Sequence, residues 1–268
     1  MQKVTIIGCG WFGFPLAKHL VDQGYIVKGT KRKKENLTAL VDSGIIAYPL
    51  NLADEHLTDS IDELLDSDII IINLPPGLRR GETHYLSHLN RLKSAIGSRQ
   101  YQKLFFISTV GVYPSHDNVV TENDSQVHSP VSDILLQAEA LFSSMANACI
   151  VRFAGLVGPK RHPGRFFAGK TDVSGADAIV NLVHLDDCVA AVSQLIKTAN
   201  LAKVYNLCAP QHPTRAEFYT QASIHLGLQP PEFNQTPMAS KTVDGQKITQ
   251  ELGYQYIYSD PIKMLDAC

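Results

Sequence analysis

The chain has 268 residues, 44% hydrophobic and 19% charged, which is enough for a filled core in one large or two intimate domains. A net charge of −2 gives no basic footprint, so nucleic acid is not expected as a partner; nor is a membrane, since no apolar run nears the roughly 18–20 residues of a spanning helix. Five cysteines, an odd number without paired ligand spacing, argue against a disulfide framework or a metal site and for a reduced, cytoplasmic protein.

Short apolar runs bounded by turn residues predict strands buried on both faces at 4–7, 26–29, 45–48, 69–73, 104–108 and 150–153. Helical periodicity fills the gaps at 14–23, 35–42, 57–65, 85–96 and 132–144, with Gly24 and Gly44 standing where helices need a left-handed stop. Regular strand–helix alternation predicts an α/β fold of Rossmann type, a doubly wound parallel sheet with a small C-terminal substrate-side subdomain. After Arg152 the rhythm loosens, with a strand expected near 178–183, a helix over 187–198, a strand at 204–208 and a helix from Pro213-Thr214 through Leu226. Residues 1–153 are thus read as a dinucleotide-binding core and 154–268 as the substrate side, with 178–208 returning to the core.

The first strand runs into Gly8, Gly10 and Gly13, in G-x-G-x-x-G spacing, and then into a helix. The three glycines suit a tight turn, a close backbone approach to a pyrophosphate, and helix-on-strand packing. Trp11 and Phe12 lie inside this loop and are placed on the cofactor with it. The bare alternative is a structural turn. The second strand ends in Thr30-Lys31-Arg32-Lys33-Lys34 with no carboxylate before Glu35, where an NAD site would put an acid. Arg32, aided by Thr30, suits a ribose 2′-phosphate, so NADP is expected, with NAD as the alternative and a solvated basic turn as the plain reading. Leu74 and Pro75 follow the fourth strand and are expected to border the cofactor.

Phe106-Ile107-Ser108-Thr109-Val110-Gly111-Val112-Tyr113, Val120-Thr121-Glu122, Arg152 with Gly155 to Pro159, His184-Leu185-Asp186-Asp187 and Val204-Tyr205-Asn206 occur in one order along the chain. In that order they resemble the extended short-chain dehydrogenase/reductase superfamily, and within it the NAD-dependent epimerase/dehydratase group, nearly end to end. The resemblance implies an oxidoreductase or isomerase acting on a nucleotide-sugar-like or small carbonyl substrate, and it leaves a homodimer through sheet-flanking helices open. It also implies a catalytic tyrosine with a lysine four residues later, and here the chain departs from the pattern. None of its ten tyrosines has Lys at that spacing, and aligning Glu139 puts Val131 and Leu135 at the two positions. Thr109, in the place of the family's Ser/Thr, and Tyr113 remain as catalytic candidates, with His184 a weaker one. Arg161 and Arg165, in the basic run 160–165, are candidates to clamp an anionic substrate. Two functions stay open: an NADP-preferring enzyme with a non-standard proton donor, or a non-catalytic NADP-binding scaffold or redox sensor.

Overall fold

A computed structural model of the chain describes residues 1–54, 57–77, 81 and 83–268. In chain order the strands are β1 (Lys3–Ile7), β2 (Ile26–Lys31), β3 (Ile46–Pro49), β4 (Ile69–Ile72), β5 (Lys103–Thr109), β6 (Asn118–Val120), β7 (Ala148–Phe153), β8 (Gly155–Val157), β9 (Leu182–His184), β10 (Val204–Leu207) and β11 (Lys241–Val243). The helices are α1 (Gly13–Asp22), α2 (Thr38–Val41), α3 (Ile61–Leu65), α4 (Tyr85–Ile96), α5 (Pro130–Ser143), α6 (Leu185–Lys197), α7 (Arg215–His225) and α8 (Lys247–Leu252). Seven strands form the central sheet in the order β10-β7-β5-β4-β1-β2-β3. The pairings β1–β2, β1–β4, β2–β3 and β4–β5 are all parallel, so the expected Rossmann-like α/β fold is present. Strand order reverses at β1, between β2 and β4, which opens a crevice beyond their carboxyl ends.

Burial explains the sequence runs. β4 is four consecutive isoleucines, all sealed on both faces by helices. Thr5 is the polar exception in β1, and its hydroxyl donates to Leu64 O at 2.8 Å, so no buried group is left unpaired there. The chain forms two interleaved compact units: residues 1–109, 129–151 and 192–204, and residues 110–128, 152–191 and 205–268. The core of the first includes Ile7, Ile70, Ile72, Leu89, Leu92, Phe106 and Phe142, the last two rings stacked at 5.1 Å. That of the second gathers Val157, Leu182, Phe218, Ala222, Met264 and Leu265.

The structure revises several boundaries. Helix α5 begins at Pro130, not 132, because Ser129 caps it: Ser129 Oγ accepts from Ser132 N and Ser132 Oγ accepts from Ser129 N, with proline pre-set at the first helical position. The helix expected over 35–42 divides into a 3₁₀ turn Lys34–Asn36 and the single turn α2. Only Ile61–Leu65 of the 57–65 stretch is helical. Near 178–183 the regular strand is confined to β9, paired with β8. Gly24 and Gly44 do adopt the left-handed region, at φ 84° and 74°. No helix of the described residues is long and apolar enough to cross a membrane.

Candidate functional site

The three loop glycines do three different things. Gly8 sits at φ 103°, and a Cβ there would lie 2.2 Å from the Asn73 carbonyl oxygen. At Gly13 a Cβ would lie 2.3 Å from Gly8 O, so helix α1 can start this close to β1 only with glycine. Gly10 meets nothing within 4 Å: its side of the loop is open. The loop is braced from below, because Gly8 N donates to Thr30 Oγ1 at 2.8 Å, Cys9 N to Thr30 O at 2.9 Å, and Asn73 Nδ2 to Gly8 O at 2.9 Å. Helix α1 carries no acidic residue in its first turn and no side-chain cap, so the positive end of its dipole faces the open side uncountered by side-chain charge. Trp11 is half-buried and Phe12 buried, the latter directly preceding α1. Beneath the loop Gly29 is tightly enclosed while Cys9 stands opposite, since a Cβ would lie 2.7 Å from Cys9 Sγ.

At the end of β2, Thr30 is buried under the loop it supports, whereas Arg32 is exposed one residue past the strand. Lys31 lies over the Phe14 ring at 5.6 Å. Leu74 and Pro75 follow β4 at the same edge, where Leu74 O accepts from the Tyr85 hydroxyl at 3.2 Å. Asn73, which no spacing rule singles out, proves to be the residue that joins the β4 end to the loop.

Thr109 closes β5 and is half-buried. Its neighbour Ser108 donates to Glu139 Oε1 at 2.5 Å, a buried carboxylate reached from α5. Val131, which the resemblance aligns with a tyrosine, is 49% exposed on α5, and Leu135 is buried. Tyr113 is 0% exposed. Its hydroxyl accepts from Arg152 Nη1 and donates to Asn206 Oδ1, both at 2.7 Å, and burial above all pushes the phenol up to about 12. Glu122 joins the same knot, with Oε1 accepting from Asn206 N and its carbonyl from Arg152. Sequence spacing could not foresee this knot, since its bonded partners lie 30–93 positions apart.

The His184-Leu185-Asp186-Asp187 motif works as a clasp. His184 Nδ1 accepts from Asp186 N, and Nε2 donates to Ala267 O at 3.2 Å. Asp187 accepts from the Tyr254 hydroxyl and from the amides of Ile257 and Tyr258, so the motif holds the C-terminal stretch. Both side chains are buried, and desolvation raises the Asp187 carboxyl against these bonds.

The basic run is built on a tight turn in which Arg161 N donates to Gly158 O at 2.8 Å. Lys160 takes φ 64°, a conformation usually left to glycine at that turn position. A second turn, Pro163–Arg165, is capped by the His162 side chain, and Gly164 is wedged so that a Cβ would lie 2.1 Å from Ala222 O. Arg161 and Arg165 are both exposed on this frame.

Comparison with known proteins gives three findings. Residues 3–80 match the family of the NAD binding domain of 6-phosphogluconate dehydrogenase, which covers the phosphate loop and the β4 end. Protein YeeZ of Escherichia coli strain K12 is 38% identical, the alignment covering 98% of this chain and 99% of that one. Among solved structures, a protein from Methylobacillus flagellatus described as an NAD-dependent epimerase/dehydratase superposes with a TM-score of 0.81 at 24% identity, covering 99% and 97% of the two chains. UDP-glucuronic acid 4-epimerase from Bacillus cereus, bound to UDP-glucuronic acid and NAD, gives 0.79 at 18% identity, covering 99% and 97%. At these identities the structures speak for the fold.

Proposed function

The chain belongs to the family of the Escherichia coli protein YeeZ, and on that footing we propose that it is an NADP-preferring, epimerase/dehydratase-like oxidoreductase. Its substrate is an anionic, nucleotide-sugar-like or small carbonyl compound. The observation that carries this reading is the phosphate loop: Gly8 and Gly13 have no room for a side chain, while Gly10 faces open space. A turn kept for shape alone would have no use for glycine at the open position. The nicotinamide cofactor supplies hydride exchange when bound.

The chain's own residues then divide the work. Backbone amides of the 8–13 loop and the α1 start receive the pyrophosphate, with Trp11 and Phe12 shaping its wall. Arg32 takes the 2′-phosphate, and Thr30 fixes the loop through Gly8. Leu74 and Pro75 border the ribose. Arg161 and Arg165 hold the anionic end of the substrate. For proton transfer we assign Thr109, which is half-buried at the β5 end. Tyr113, fully buried between Arg152 and Asn206, acts as a post rather than an acid. The second reading, a non-catalytic NADP-binding scaffold or redox sensor, is favoured by Val131 and Leu135, which bring no acid to the family's tyrosine and lysine positions.

Calorimetric titration with NADP⁺, NADPH, NAD⁺ and NADH tests the cofactor reading. NADPH is expected to bind at micromolar levels and to weaken about 10–100-fold in Arg32→Ala, the worth of one or two charge-assisted bonds, with NADH unaffected. Equal affinities for all four refute the preference, and no binding refutes the cofactor. NADPH oxidation in a panel of sugar nucleotides and carbonyls would eliminate the scaffold reading.

A further inference from the structure

The basic turn is held by a hydrogen-bonded chain that the proposed chemistry does not use. Gly164 N donates to His162 Nδ1 at 3.0 Å. His162 Nε2 lies 3.0 Å from His225 Nδ1, with the two rings stacked at 5.1 Å. His225 Nε2 lies 3.3 Å from Asp266 Oδ1. His225 is the last residue of α7, and Asp266 belongs to the C-terminal 3₁₀ turn Lys263–Ala267. Three separate segments therefore meet through two imidazoles.

The direction of donation is forced. An amide can only donate, so His162 Nδ1 accepts and its proton sits on Nε2. That proton goes to His225 Nδ1, which leaves the His225 proton on Nε2, aimed at the carboxylate. Each ring nitrogen is used once, and only when both rings are neutral. A further proton on His225 sets N–H against N–H at the junction of the rings. One on His162 sets N–H against the Gly164 amide.

We infer that His225 and Asp266 are positioning residues that, through His162, hold Lys160, Arg161 and Arg165 in their binding arrangement while both imidazoles are neutral and release the turn when either gains a proton. This rests on reading Arg161 and Arg165 as an anion clamp. The turn is under strain that such a hold offsets, because Lys160 is kept at φ 64° and Gly164 is pressed against the Ala222 carbonyl, with Ser223 Oγ, 3.1 Å from Gly164 O, as a further side-chain tie. The charged groups facing His162 are Arg165 on the turn and, through His225 of α7, Asp266 on the C-terminal turn. Burial first, then His225 and Arg165, lowers the His162 imidazole from its ordinary value, which favours the neutral form that accepts from Gly164 N.

Amide hydrogen exchange on the full chain, read by mass spectrometry at about pH 8 and about pH 5 and corrected for intrinsic rates, is the test. Protection of residues 158–168 is expected to fall about tenfold on acidification, while α5 stays unchanged. His225→Phe, which keeps a stacked ring without the relay, and Asp266→Ala, at a largely exposed position, are each expected to be loose at the higher pH and flatter with pH. Wild-type protection that ignores pH, or both variants as protected as wild type, overturns the latch. Binding of inorganic pyrophosphate at the higher pH separates the two readings. No binding by the wild type refutes the anion clamp and, with it, the positioning role, whatever exchange reports. Equal binding by wild type and both variants keeps the clamp and refutes the positioning role. Binding weakened about tenfold in His225→Phe and abolished in Arg161→Ala supports both.

Discussion

The phosphate loop makes its sharpest statement when one methyl group is added at each glycine in turn. Gly10→Ala inserts a Cβ into open space at a residue whose φ lies outside the left-handed region, so folding stability should move by less than about 1 kcal/mol. The same methyl group occupies the surface that a pyrophosphate must approach, and dinucleotide affinity should fall at least about 100-fold, close to 2.7 kcal/mol. Gly8→Ala is the opposite case. Its Cβ would stand 2.2 Å from a backbone oxygen at φ 103°, and neither the carbonyl of Asn73 nor the loop can move without loosening the β1–β4 junction. Left-handed strain of about 1–2 kcal/mol plus the overlap should exceed about 3 kcal/mol, which for a chain of this size lowers Tm by about 10 °C. Thermal unfolding by circular dichroism and cofactor titration by calorimetry, on the same preparations, read both quantities. If Gly10→Ala binds NADPH and NADH as the wild type does, the loop is not a pyrophosphate cradle and the reasoning fails at its first step.

Two more outcomes follow from a half-buried lysine and a buried tyrosine. Lys103 donates to the carbonyls of Leu195, Ile196 and Thr198 at the end of α6, so Lys103→Met leaves that helix end without its donor; a loss of about 2–3 kcal/mol is expected in urea unfolding, against no change for exposed Lys203→Met, and equal midpoints would contradict it. Tyr113 keeps its proton up to about 12 in the folded protein, whereas an unfolded tyrosine ionises near about 10, so its contribution is complete below the lower value and is lost as pH rises toward the upper. The urea midpoint should therefore drop between about pH 10 and pH 12 with a slope of up to about 1.4 kcal/mol per unit from this residue, a share that Tyr113→Phe removes; an unchanged slope in the variant would refute it.

Strands β1, β2, β4 and β5 were legible because they are covered on both faces, which leaves an apolar run too short for a helix and too continuous for an edge. The glycine spacing was legible for a related reason: a backbone that must turn at φ 103° and pass within contact of another backbone admits one residue type. What stayed hidden was pairing over distance. Nothing local marks His162, His225 and Asp266 as partners, because 63 and 41 positions separate them and only the fold closes those gaps. Tyr113 shows the same gap from the other side. Its neighbours in sequence resemble an active-site strand, while its environment is set by Arg152 and Asn206, which arrive on other strands. The short strands β6, β8 and β11, three residues each, lack the length that periodicity requires.

Gly29 and Cys9 carry an evolutionary consequence. The thiol fills the volume that any side chain at position 29 would need, with Leu40 and Ile45 closing the remaining sides at 3.1 and 3.0 Å. The two positions can therefore change only in one order. A lineage that enlarges residue 29 first passes through a chain whose phosphate loop is pushed off its seat. One that trims residue 9 to glycine first opens a small void, at the modest cost of a few lost contacts, and only then gains room for alanine at 29. The loop's composition thus depends on the order of past substitutions as well as on what it binds, and homologues should differ at these positions as a pair.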